Sequence, residues 1–130
     1  MSHTDQPDGY AIVVSTRPQY IAEQSTPEQG HYAFAYTITL ENLGRHTAQL
    51  LSRHWLITNA DGEIMEVKGL GVVGEQPVLA PGASYTYTSG TLLATPHGTM
   101  HGSYQMQGED GVRFEAEIPA FTLVYPGLLH

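Results

Sequence analysis

Between His31 and Glu41 the chain alternates without interruption. Tyr32, Phe34, Tyr36, Ile38 and Leu40 are large and apolar or aromatic, while Ala33, Ala35, Thr37, Thr39 and Glu41 are smaller or polar. A period of two is that of a β-strand with one face on a core, and it excludes an amphipathic helix, whose apolar residues recur three and four apart. No window of ten or more residues elsewhere shows helical periodicity. The other segments that read as strands are 10–16, 48–59, 63–68, 84–89, 100–107, 112–118 and 121–125, with a short extended piece at 19–24. Turn chemistry separates them: Asn42-Leu43-Gly44, Asp61-Gly62, Pro81-Gly82, Thr95-Pro96-His97-Gly98 and Gly108-Glu109-Asp110-Gly111. Pro119 is expected to stop one strand before the last begins.

Seven or eight short strands at this spacing predict an all-β fold. The expected architecture is a two-sheet antiparallel β-sandwich of the immunoglobulin or fibronectin type III kind. In segment 48–59 the parity places Leu51, Arg53, Trp55 and Ile57 on one face and Leu50, Ser52, His54 and Leu56 on the other. Both faces are partly apolar, so the strand is central and Trp55 is the expected core anchor. At 130 residues the chain makes one domain, 1–130, with residues 1–8 and the last few frayed.

Charge narrows the function. Five basic residues stand against 13 acidic ones, a net charge of −8. Arg17, Arg45, Arg53, Lys68 and Arg113 are scattered singly, so there is no basic cluster to release counterions from a phosphate backbone. Nucleic acid and anionic membrane surfaces are therefore not expected as direct partners. The absence of cysteine excludes disulfides, thiolate zinc sites and cysteine nucleophiles, and predicts a cytoplasmic location. The first residues lack the basic and apolar regions of an export signal, and no apolar run approaches membrane-spanning length.

Gly69-Leu70-Gly71-Val72-Val73-Gly74 matches the glycine spacing of a dinucleotide-binding loop. That loop must open a helix, whereas here Gly74 runs into Glu75-Gln76-Pro77 and then Pro81-Gly82. Glu75 would also repel an anion. The segment reads as an inter-strand loop whose glycines serve a bulge or close backbone approach, with partner contact and a phosphate-holding nest as alternatives. Seven histidines occur, and His97 with His101 is the pair considered for a weak divalent cation site. Serines and carboxylates form no catalytic pattern, so no enzyme activity and no cofactor are expected.

Several stretches together resemble the ApaG family. They are Gln49-Leu50-Leu51-Ser52-Arg53-His54-Trp55, the run Gly69 through Pro77, Tyr87-Thr88-Ser89-Gly90, and Thr95-Pro96-His97-Gly98-Thr99-Met100-His101-Gly102-Ser103-Tyr104. Tyr32 to Ile38 and Ile118-Pro119-Ala120-Phe121 extend the likeness to residues 10–130. The resemblance implies a fibronectin-III-like sandwich. It also implies, for bacteria, a gene beside that of a diadenosine tetraphosphate hydrolase and the alternative name CorD, from a genetic link to cobalt and magnesium efflux. In eukaryotes the family's domain occurs in an F-box protein and in a protein that interacts with DNA polymerase delta, which implies a protein-binding module.

The leading expectation is a non-catalytic module that binds a protein partner through Gly69, Gly71, Gly74, Glu75, Gln76 and Pro77 with Arg53, His54 and Trp55. The alternative is a divalent-cation or phosphate-ligand module linked to ion efflux.

Overall fold

The computed structural model describes residues 6–129, and residues 1–5 of the expected frayed start lie outside it, as do His3 and His130. Gln6 is held in place: its side-chain amide exchanges hydrogen bonds of 2.8 and 2.9 Å with the backbone of Ile12. Eight strands succeed one another: β1 Ile12–Tyr20, β2 Tyr32–Asn42, β3 Ala48–Asn59, β4 Ile64–Leu70, β5 Val78–Leu79, β6 Ser84–Leu93, β7 His97–Gly108 and β8 Arg113–Val124. Among the described residues the helices are short 3-10 turns at Ala22–Gln24, Pro27–Gln29 and Pro126–Leu129, and no helix is long and apolar enough to cross a membrane.

The strands form two antiparallel sheets. One runs β1-β2-β6, and the other β4-β3-β7-β8 with β5 beside β3. This is the two-sheet sandwich the alternation predicts. The large members of the β2 alternation turn inward: Phe34, Tyr36, Ile38 and Leu40 are buried, as are Trp55 and Ile57 of β3, Met100, Tyr104 and Met106 of β7, and Ala116, Ile118 and Leu123 of β8. Trp55 stands edge-on to Tyr36, Phe121 and Tyr104, with centroid separations of 5.3, 5.9 and 6.5 Å. Edge-on contact suits the ring quadrupoles and fixes the two layers against each other. Asn42, a fully buried polar side chain in the core, donates to the carbonyls of His46 and Leu79 and accepts from the Gly44 N–H, so none of its polar atoms is left unmatched.

Three expectations change. Pro119 does not stop a strand, because β8 continues through it with an irregularity at which Pro119 and Ala120 stand opposite His101. A bulge removes the proline from the ladder, where its missing N–H would cost a hydrogen bond. Pro18 likewise lies within β1, a sheet edge, where a missing donor is tolerated. The piece expected at 19–24 is the end of β1 and a 3-10 turn, and His97 and Gly98 open β7.

Candidate functional site

β4 runs two residues past the predicted end at Lys68 and takes in Gly69, the first glycine of the motif, and Leu70. Each of the three has its own local cause. A Cβ on Gly69 would sit 2.8 Å from the guanidinium carbon of Arg53, which crosses there. Gly71 has φ +63° and meets the Glu75 carbonyl where a side chain would be. Gly74, at φ +81°, shares a tight turn closed by reciprocal bonds of 2.8 and 2.9 Å between Val72 and Glu75. Its neighbour Val73 takes φ +49°, a left-handed conformation that a β-branched residue seldom adopts, and it is 63% exposed.

The same segment controls strand β3. Leu51 is an extra residue between the pairs Leu50–Met106 and Ser52–Gln105, and its carbonyl accepts from the Gly71 N–H and the Gln76 side-chain amide, both at 2.8 Å. The Gln49 amide donates to the Gln76 carbonyl at 3.1 Å, and the Leu50 N–H to the Pro77 carbonyl at 3.0 Å. The glycine segment thus clamps a bulge. That bulge reverses the parity of β3, so Leu50 shares the inner face with Trp55 and Ile57, which corrects the faces predicted for this strand. The amides of Gly71, Val72 and Glu75 are all committed to carbonyls. Those three N–H groups are therefore not free to hold a phosphate.

Arg53, His54 and Trp55 do not form one patch. Trp55 is 2% exposed and belongs to the core, so it is withdrawn from the candidate binding residues. Arg53 donates from Nη1 to the carbonyls of Leu70 and Gly71 at 3.0 and 2.9 Å. His54 faces outward, with Nε2 2.5 Å from Oε2 of Glu66; Nζ of Lys68 lies 3.8 Å from the same oxygen. The hydrogen bond from His54, and then the Lys68 charge, hold the Glu66 carboxyl below the usual carboxylate range.

Outside the four-strand path lies an open groove of about 500 Å³, lined among others by Ser52, His54, Lys68, Leu70, Gln105 and Glu115. Its floor is a chain of hydrogen bonds: Ser52 Oγ donates to Gln105 Oε1 at 2.8 Å, and Gln105 Nε2 donates to Ser103 Oγ at 2.9 Å and Glu115 Oε2 at 3.3 Å. Its rim is apolar and wet. Leu70 is 79% exposed, and Val73 and Val78 beyond it are 63% and 61% exposed.

His97 and His101 are both exposed on β7, four residues apart. At roughly 3.3 Å per residue they are about 13 Å apart along the strand, too far to share one ion. Among the described residues no three His, Asp or Glu side chains gather as metal ligands. The hydroxyls of Tyr87 and Tyr104 meet at 2.5 Å inside the core, and burial raises both, Tyr87 to about 12.

A family model described as the ApaG domain matches residues 22–108. The chain belongs to the ApaG domain family. It is 60% identical over 121 residues to the Protein ApaG of Pseudomonas paraeruginosa, covering 93% of this chain and 96% of that one. With the Protein ApaG of Dechloromonas aromatica the identity is 57% over 130 residues and the whole of both chains. The crystal structure of the ApaA protein from Bordetella pertussis superposes with a TM-score of 0.89 at 51% identity, over 92% of this chain and 97% of that one. The ApaG sandwich here is therefore a fold this family holds in a crystal.

Sequence reasoning missed the groove floor. Ser52, Gln105 and Glu115 come from three strands, and their adjacency results from the pairings Ser52–Gln105 and Gln105–Glu115. No local signal in any one strand joins them.

Proposed function

We propose that this ApaG domain is a non-catalytic, cytoplasmic protein-binding module whose docking surface is the groove and the adjoining Val72–Glu75 turn. The observation that carries the reading is the exposure of Leu70, Val73 and Val78 around that one turn. Interface centres are built from apolar side chains beside polar ones, and here the polar neighbours are Glu75, the Glu115 end of the groove floor and the His54–Glu66 pair. Val73 supports the reading further: the tight turn holds it left-handed, and its apolar side chain is presented to water rather than packed. A partner with an apolar side chain flanked by a basic group complements this surface.

Affinity capture from a bacterial extract with the wild type and a Leu70→Ser/Val73→Ser variant tests this, with circular dichroism confirming that both fold. Loss of particular partners from the variant is the expected result, and identical partner sets would sink the reading. Titration with Co²⁺, Mg²⁺ and pyrophosphate, followed by amide shifts, is the parallel control. Saturable shifts at residues 69–77 would favour a cation or phosphate ligand linked to ion efflux instead.

A further inference from the structure

We propose that a second copy of this chain pairs with β4 along its free edge, in a two-fold antiparallel dimer that sets Glu66 opposite Lys68 of the other copy. The backbone defines which groups are available. The Asn59 N–H donates to the Glu63 carbonyl at 3.0 Å at one end of the β3–β4 ladder, and the Gly71 N–H to the Leu51 carbonyl at 2.8 Å at the other. Antiparallel pairing alternates, so the odd-numbered residues of β4 bond to β3, while Ile64, Glu66, Lys68 and Leu70 point their N–H and C=O groups away from it. No described strand pairs with that side.

Edge strands are ordinarily blunted by proline, a bulge or charged side chains, lysine above all. β4 has no proline and no register shift, and its Lys68 is balanced by Glu66.

The side chains then fix a register. Rotation about Val67 places Glu66 against Lys68 of the second copy, Ile64 against Leu70, and Met65 against Gly69. All the charged and exposed apolar residues of the strand find complements. Sliding the axis to Glu66 or to Lys68 sets like charges face to face, which is unfavourable directly across a ladder. The same rotation makes Glu66 and Lys68 a hydrogen-bonded pair, both presenting outward backbone groups. Leu70 gives its N–H to Ile64 of the second copy, because its own carbonyl is held by Arg53. Ile64, Met65 and Leu70, at 67%, 47% and 79% exposed, are the apolar side chains the pairing brings against the second copy. The result joins two four-strand paths into one sheet and brings the two grooves side by side. The neutral edge of β6 offers no comparable charge register.

Sedimentation equilibrium of the purified chain tests this without any partner protein, so its outcome is separate from that of the binding reading. The wild type is expected to show a concentration-dependent dimer. Lys68→Glu should raise the dissociation constant by about tenfold or more, since symmetry counts the repulsion twice. Glu66→Lys/Lys68→Glu should return it to within about threefold of wild type. Lys68→Pro removes an outward N–H while sparing the β3 ladder, and should abolish the dimer with an unchanged circular dichroism spectrum. A wild type that stays monomeric up to about 1 mM overturns the proposal and leaves the edge to a strand of another protein. So does a dimer that survives Lys68→Pro, or a double variant that fails to restore association.

Discussion

The two flanks of the sandwich are built differently. On one, β1 lies against β8, and aromatic contacts tie both ends together: Tyr10 meets Phe114 at 5.0 Å and Tyr20 meets Tyr125 at 5.0 Å. Tyr10 also donates its hydroxyl to Asp110 at 2.8 Å. Both strands there carry a proline, Pro18 and Pro119, which discourages any further strand from adding. On the other flank β4 and β6 lie at the sheet edges without proline, beside a cleft lined by Ile64, Met65 and Leu92. The closed flank invests its side chains in stability. The open flank leaves exposed apolar side chains and unpaired backbone.

The sharpest way to break this contrast is to remove the closed flank's clamp. Tyr10→Ala is expected to cost about 3 kcal/mol or more, read from the urea midpoint, because it empties an aromatic site and frees a hydrogen-bond partner. Met65→Ala on the open flank should stay within about 0.5 kcal/mol. Equal losses would show that the two flanks do not differ in this way.

Gly71→Ala comes next, at about 1–3 kcal/mol, since it adds a side chain at positive φ against the Glu75 carbonyl. Amide shifts should spread from the turn to Leu51 and the bulge it clamps. A smaller effect of opposite sign is expected from Val73→Gly. Relief of a left-handed valine, about 1–2 kcal/mol, outweighs the added chain entropy of glycine, so the melting temperature should rise slightly. Partner capture by that variant would then tell whether the strain serves binding.

The mildest test is pH. The Tyr10 hydroxyl holds the Asp110 carboxyl below its usual range, and the Thr47 N–H does the same for Glu109. A carboxylate depressed on folding contributes stability that is fully present above its unfolded pKa and is lost as pH falls through the folded value. Acid should therefore loosen the closed flank through this pair, and on the open flank Glu66 weakens in the same direction. Tyr10→Phe should flatten the acid limb of the stability curve, and an unchanged slope would show that the Tyr10–Asp110 bond carries none of it.

Much of this was legible in the sequence because side-chain alternation is local. The β2 run named its own inward residues, Trp55 was marked as core by the strand it sits in, and Asp61-Gly62 and Gly108 to Gly111 marked the hairpins. The failure of the glycine motif as a nucleotide loop was equally readable, from the glutamate and the prolines beyond Gly74. The candidate site was not. Leu51 looks like any other strand residue until Gly71 and Gln76 converge on its carbonyl, and that bulge decides that Leu50 lies inside with Trp55. The Glu66–Lys68 self-complementarity is written in β4, yet it carries meaning only once that strand is known to be an edge. Sequence by itself determined which segments extend and which residues seek the core, because those depend on neighbours along the chain. Tertiary structure alone decided the register, the bulges and the free edge, because those depend on hydrogen bonds between residues far apart in sequence.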